Sequence, residues 1–564
     1  MSVVDTAAAF PAKTRSGPQS ELRAGPQSGM AAGTGFGGTA ARDRLSWAVP
    51  LFLLCVLLPV KFYAGPILLT NLRILLLVLV LPLGIGLLGG RYGRVQVVDI
   101  AVMAHLAWIS IALLVRSPEA AISQVGSAGA EFIGGYLMGR AFIRSPDQFV
   151  AMIRLFALSL VLSLPLTLYE LQSGDSILLR ILSRLPGVFS EYTIHMEARM
   201  GLERVQMTLP HPIHFGLFSV SLLGLVFVGL GGEIPRGRRL LLTGVMMFST
   251  FASLSSGALL PMVLQIGMVV WAWMLAAVRR RWLILFGLFL AAYMTVDLLS
   301  NRTPLQVFMS YATFSPHNAY FRSIIFEWGM MNVFGNDIQN IPPAPIFGIG
   351  MGDWVRPHWM NASSVDNYWL LQAMRYGVPG FVTIAVGYGW ALWRIGTRDL
   401  GDDERLNRLR FAWMITFLAL ALTLCTVHIW SATYSYVFFL FGAGMWLLDA
   451  EPRDAGTDPE GSMADAGRAG TGMGAEAGGR TMRYTRFAGR DAGRPEAAAG
   501  GPGAGAGAGP EVAAGTEAGT AGGTGGRARR PSPPAGRRAA DAGFSRGPAR
   551  RHGWSRPRAG DPPT

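Results

Sequence analysis

The chain has 564 residues, 51% of them hydrophobic and only 15% charged, against roughly 25% charged in soluble domains. With a mean hydropathy of +0.35, this excludes an ordinary soluble enzyme and points to a polytopic membrane protein. The net charge of +14 comes almost wholly from Arg, with Lys only at Lys13 and Lys61. Its concentration in short loops and tails fits the positive-inside rule rather than nucleic-acid binding.

Residues 1–44 are polar and rich in Gly and Ala, without the apolar run of a cleavable signal. They are expected to be a disordered cytoplasmic N-terminus. Apolar runs follow at 46–62, 66–89, 97–115, 121–139, 147–169, 211–231, 238–254, 257–278, 282–299, 367–395, 407–428 and 430–449. Each suits the ~30 Å of a hydrocarbon core, though Ser and Gly dilute the fourth. The expected fold is therefore all-α, a polytopic transmembrane bundle of about twelve spans over 45–450.

Orientation has an internal check. With the N-terminus in the cytoplasm and sides alternating, the inside loops collect Arg91, Arg94, Arg140, Arg144, Arg236, Arg238, Arg239, Arg279, Arg280 and Arg281. Arg394, Arg398, Arg405, Arg408 and Arg410 fall there too, as does the C-terminal tail. Residues 451–564 are Gly, Ala, Pro and Arg with few large apolar side chains, so they are expected to be a disordered, basic cytoplasmic tail.

Two long connections then face outward. The first, 170–210, contains GDSILLRILSRL with apolar residues at helical spacing, and ends in Arg199, Glu203 and Arg204 before His211-Pro212. The second, the periplasmic loop 300–366, opens the longest polar interruption of the body. Through Gly380 that stretch holds Arg302, Arg322, Arg356, Arg375, Asp353, Asp366, His317 and His358, interleaved with Trp328, Trp354, Trp359 and Trp369. No histidine there has a partner at metal-ligand spacing, and the chain has no phosphate-binding loop or dinucleotide fingerprint. Neither a metal nor another cofactor is expected. Cys55 and Cys425 sit in apolar runs and suggest no disulfide framework.

Asp366-Asn367 opens a helix-like run, DNYWLLQAMRYGVPG, closed by Gly377 and Gly380. This resembles the motif of the O-antigen ligase and polysaccharide polymerase family, in which a His-Asn pair precedes a helix closed by Gly-x-x-Gly. PIFGIGMGDW (Pro345 to Trp354) resembles the family's proline–glycine turn ahead of that motif, and Arg322 sits where the family has an upstream arginine. RMGLERVQMTLPHPIHFG (Arg199 to Gly216) resembles its arginine-rich approach to a His-Pro span. LYELQSG around Glu170 resembles the end of the preceding span, and SLSSGALL (Ser253 to Leu260) its Ser-Arg-Gly turn, with Ser256 where Arg is common. Asp366 stands where the ligases have His, which favours the polymerase-like subclass.

The resemblance implies a membrane glycosyltransferase. It would move a glycan from a polyprenyl diphosphate carrier to an acceptor sugar hydroxyl, at the outer face of the bacterial cytoplasmic membrane. A ligase and a flippase or transporter are the alternatives. The implied partners are the lipid-linked glycan, the acceptor glycan and membrane lipid, with a chain-length regulator and a flippase as companions and no nucleic acid.

Such chemistry needs fixed positive charge at a diphosphate leaving group, which guanidinium supplies with paired donors. It also needs a base at the acceptor hydroxyl. Arg322, Arg204 and Asp366 are the expected catalytic residues; Arg199, His211, Asn367, Trp328 and Trp354 are the expected substrate contacts, the tryptophans as stacking faces. Each has a plainer alternative. Asp366 suits a helix N-cap, Arg322 a snorkelling position, and Arg199 and Arg204 lipid headgroups. His211 before Pro212 suits a span start, and the tryptophans an interfacial belt.

Overall fold

The structure, a computed structural model, describes residues 44–452 apart from 65–66, 187–188, 195 and 312–315. The expected disordered segments thus lie outside the described residues, except at their inner edges. Among the described residues the chain is mostly helical, and eight helices are long and apolar enough to cross a membrane. These mark it as a membrane protein.

The expectation of twelve spans is met only in part. The run 46–62 yields α1, Ala48–Leu57, only ten residues long. An antiparallel hairpin follows, β1 (Lys61–Ala64) with β2 (Ile67–Thr70), a small addition to the expected helical bundle. Pro59 ends helical pairing there. Lys61 then exchanges backbone hydrogen bonds with Phe189 and forms an ion pair with Glu191 at 2.7 Å, fastening the hairpin to the first long connection.

Thr70 caps α2, Asn71–Leu88, by accepting from the Arg73 N–H. Helix α3, Val97–Arg116, starts with a Gln96/Asp99 capping box. The expected span 121–139 is not continuous α-helix. It is α4, Pro118–Gln124, a π-helical turn Val125–Gly129, and α5, Ala130–Phe142. Ser145 and Pro146 start α6, Pro146–Ser173, and Gly174 ends it in the left-handed region. The helical spacing in 170–210 becomes α7, Ile177–Leu182.

Helix α8, Pro212–Gly224, continues through a π turn to Gly229. It is followed by α9 (Arg236–Ala252), α10 (Ser256–Met274) and α11 (Arg281–Leu299), the last with none of its residues buried. The second long connection is not bare loop. It holds α12, Pro304–Tyr311, and α13, Pro316–Phe334. Helices α14 (Tyr368–Thr397), α15 (Glu404–Thr423) and α16 (Ser431–Gly442) complete the bundle.

Helices α5 and α16 form the centre. Gly135 and Gly139 present bare backbone to the Ser435 and Phe439 carbonyls, and Gly442 does the same to Tyr136, so any Cβ at these three positions would collide. Such small residues let two apolar helices approach where lipid offers no hydrophobic drive. Phe132, Phe156, Tyr436, Phe438, Phe439 and Phe441 fill the surrounding core.

Connections gather at two ends. At one, Arg140 donates to the Tyr92 and Arg94 carbonyls, and Arg144 to that of Arg91. There too Arg405 joins Glu233 and Asp147 at 2.6 and 2.7 Å. At the other, the hairpin, the segment after α7, the α9–α10 turn, the 335–367 segment and the α15–α16 connection meet.

Candidate functional site

The second end is built around a break in α14. Gly377 leaves helical geometry, with φ 75° and ψ 176°. The backbone groups freed there are taken up by the 345–350 segment. The Val378 N–H donates to the Pro345 carbonyl, while the Ile349 and Gly350 N–H groups donate to the Met374 and Arg375 carbonyls. Trp108 donates to the Tyr376 carbonyl at 2.8 Å and Arg116 to that of Gly348 at 2.8 Å. Gly348, at φ 68°, and Gly377 lie so close to facing backbone that a side chain at either would collide. Thus the proline–glycine turn and the Gly-x-x-Gly segment dock on one another, and together they fix the start of α14.

The cap of α14 is Asn367, not Asp366. Its Oδ1 accepts from the Leu370 N–H at 3.0 Å, and the residue is buried. The capping role weighed for Asp366 therefore belongs to its neighbour, and the Asp366 carboxyl is left for another task. Burial pushes its pKa above the ordinary range, and the nearby Arg322 guanidinium pulls it part of the way back.

Arg322 sits on α13. It is half-buried; burial lowers its pKa, Asp366 raises it, and Arg199 lowers it. Its Nη1 is buried and has no hydrogen-bond partner among the described residues. The first long connection meets the second here.

Arg199 and Arg204 reach the α9–α10 turn from one short β-bridged loop, Arg199 to Leu202. Arg199 Nη1 donates to the Leu254 carbonyl at 2.6 Å, and Arg204 Nε donates to that of Ser253 at 3.4 Å. These carbonyls end α9, where the helix dipole favours cations. Among the described residues neither arginine has a carboxylate within ion-pair distance. Burial and the Arg199 charge bring the Arg204 guanidinium down to about 10.

His211 precedes α8 and caps it, Nδ1 accepting from the Ile213 N–H at 3.1 Å. That bond places the ring proton on Nε2, leaving a donor. Burial, then Arg204, then Arg199 bring its pKa down to about 4, so it is a neutral imidazole at neutral pH.

Five expected residues, Arg199, Arg204, His211, Arg322 and Asp366, are thus within electrostatic reach of one another along a chain of neighbours. The tryptophans belong elsewhere. Trp354 is 6% exposed and donates its indole N–H to the Ser363 carbonyl. It packs with Ile325, Val333, Met360 and Val365 in a small core that holds α13 against α14. Trp328, partly buried, packs on the same core. Glu170, near the end of α6, is buried and accepts from the Gln206 and Met207 N–H groups at 2.8 and 3.1 Å. Asp353 does make turn contacts, to its own neighbour Trp354 N–H and to Arg356.

Sequence reasoning missed the role of the α9–α10 turn in holding both arginines. The signal was weak, since only its backbone carbonyls act. Among the described residues no group of three or more His, Cys, Asp or Glu side chains converges as a metal site. Compared with known proteins, the chain matches no family model and no curated sequence.

Chemically, the site is a cluster of guanidinium groups lacking enough carboxylate to neutralise them, beside one carboxyl of raised pKa. Such an arrangement can hold a polyvalent anion and accept a proton.

Proposed function

We propose that the protein is a polysaccharide polymerase that joins lipid-diphosphate-linked repeat units at the outer face of the bacterial cytoplasmic membrane. The reading is carried by one observation. Arg199 and Arg322, from two connections far apart in sequence, feel each other's charge beside Asp366. Like charges gathered in a half-buried place cost energy unless an anion joins them.

In this reading the donor diphosphate lies among Arg199, Arg204 and Arg322. The acceptor hydroxyl oxygen attacks the anomeric carbon of the donor sugar. The bond from that carbon to the phosphate oxygen breaks, and its electron pair stays on the diphosphate. The guanidinium groups stabilise the charge that develops there. Asp366 takes the hydroxyl proton, and its raised pKa makes it a better base than an ordinary aspartate. The His211 Nε2–H is a further donor to the same anion. Both termini are assigned to the cytoplasm, because the opposite end collects Arg91, Arg94, Arg140, Arg144 and Arg405.

The test is a strain lacking the gene, complemented with wild-type protein or with Arg322→Ala at equal protein level. Loss of polymer with single repeat units on the carrier is expected. Long chains left on the carrier would instead indicate a ligase, and units trapped on the cytoplasmic face a flippase. Normal polymer from Arg322→Ala would remove the site assignment.

A further inference from the structure

A cavity of about 190 Å³ lies beside the arginine cluster, between the starts of α2 and α14, the π turn before α5, and the α15–α16 connection. It is lined by Arg73, Glu131, Gln372, Arg375, His428 and Trp430, among others. Trp430 joins it to the neighbouring site, with ring centroids 6.1 Å from His211 and 5.7 Å from His428.

The charges in this cavity do not cancel. Glu131 is engaged by Arg73 at 2.8 Å. Arg375 lines the cavity with Tyr376 and His428. Among the described residues it has no carboxylate within ion-pair distance. The lining therefore carries one positive charge more than its carboxylate balances. Gln372 is 5% exposed, and among the described residues neither its Oε1 nor the buried His428 Nδ1 has a hydrogen-bond partner. Buried polar atoms are normally satisfied, so open polar atoms and an uncompensated guanidinium in one cavity describe a place prepared for a guest.

The volume limits the guest. It is below the roughly 300–1,000 Å³ of drug-sized sites and equals the liquid volume of about six waters. This suits one sugar ring or one small anion, not an oligosaccharide. The lining adds Tyr368 and Tyr434 to the open Gln372 acceptor and the open His428 ring nitrogen, which is hydrogen-bonding capacity for hydroxyl groups, while Trp430 lines the same cavity.

We propose that this cavity binds an oxyanion-bearing sugar residue of the acceptor glycan, with Arg375 as its charge partner. The proposal deepens the transferase reading and rests on it for the word acceptor. It assigns the polymer an acidic residue, its oxyanion either a carboxylate or a phosphate. Guanidinium forks match both.

The test is direct binding to purified full-length protein in lipid nanodiscs, read by tryptophan fluorescence and melting temperature. The probes are glucuronate, glucose 6-phosphate, glucose and inorganic phosphate. Glucuronate or glucose 6-phosphate should bind saturably, and which of them binds more tightly names the oxyanion. Glucose and inorganic phosphate should each bind at least tenfold more weakly than the better anionic sugar. Arg375→Gln should weaken that binding at least tenfold, whereas Arg322→Gln should leave it within twofold. Gln372→Glu, which adds a negative charge to the lining, should weaken it as well and serves if Arg375→Gln does not fold. Equal binding of glucose, equal binding of inorganic phosphate, or unchanged binding by Arg375→Gln or Gln372→Glu would overturn the proposal. No glycosyl transfer is measured, so a failure here is distinct from a failure of the Arg322→Ala polymer test.

Discussion

Arg322 on α13 and Asp366 beside the α14 cap oppose each other's environment: burial raises the Asp366 pKa, the guanidinium lowers it, and burial prevails. If Asp366 is the base, transfer should fall on the acid side at a pH above the ordinary aspartate range. Arg322→Gln removes the lowering influence and should move that limb further up, besides slowing transfer. Asp366→Asn should cost roughly 10²–10⁴-fold in rate. Because the folded carboxyl resists ionisation, its contribution to stability is greatest below its unfolded pKa and falls as pH rises through the folded value. Asp366→Asn should therefore not lower the melting temperature at neutral pH. A pH–rate profile on lipid-linked repeat units, with a melting curve, checks both; a limb that moves down in Arg322→Gln refutes the pairing.

Arg204→Gln should reduce transfer by roughly 10²–10³-fold, the usual cost of losing one positioned transition-state donor. The same change removes a cation that depresses His211. The His211 pKa should climb from about 4 toward the ordinary histidine value. Imidazole resonances followed by NMR titration report this independently of activity. A His211 that titrates as in wild type would show that Arg204 does not lie beside it.

Gly377→Ala should be among the most damaging conservative changes in the chain. A positive φ combined with an extended ψ is essentially a glycine conformation and costs about 1–3 kcal/mol for a residue with a Cβ, and the added methyl would meet the Ile346 carbonyl. Gly389→Ala, whose Cβ would meet nothing within 4 Å, is the control. Thermal melting in detergent should separate the two, with Gly377→Ala well below wild type and Gly389→Ala near it.

Arg73→Ala should destabilise by about 3–5 kcal/mol, because it strands the buried Glu131 carboxylate. The double variant Arg73→Leu/Glu131→Leu should recover most of that loss. Denaturation midpoints of the variants test it, and a double variant as unstable as Arg73→Ala would contradict it.

The helices at 97–116, 146–173, 281–299 and 404–423 were legible to within a few residues, since long apolar runs with polar ends leave little choice. The hairpin was not. Ile67, Leu68 and Leu69 run directly into the apolar sequence of α2, and hydropathy cannot divide a strand from a helix within one such run. The grouping of Arg199, Arg204, Arg322 and Asp366 follows the motif resemblance, which sets residues of two separate polar stretches in one site. The tryptophans misled for a general reason. Composition shows that indole is abundant, but only the fold shows whether a ring such as Trp354 faces water or fills a small core. Arg375 was counted among the charges of its stretch without a task, although a cation two turns inside an apolar helix is expensive and so calls for a role.

The docking of residues 345–350 on the opened turn of α14 has a mechanical consequence. Lifting that strip would bare the Met374 and Arg375 carbonyls and the Val378 amide at once, each costing several kcal/mol away from water. The strip is a strut, not a lid. Stiffness at this joint holds the neighbouring charges of Arg322 and Asp366 in fixed register.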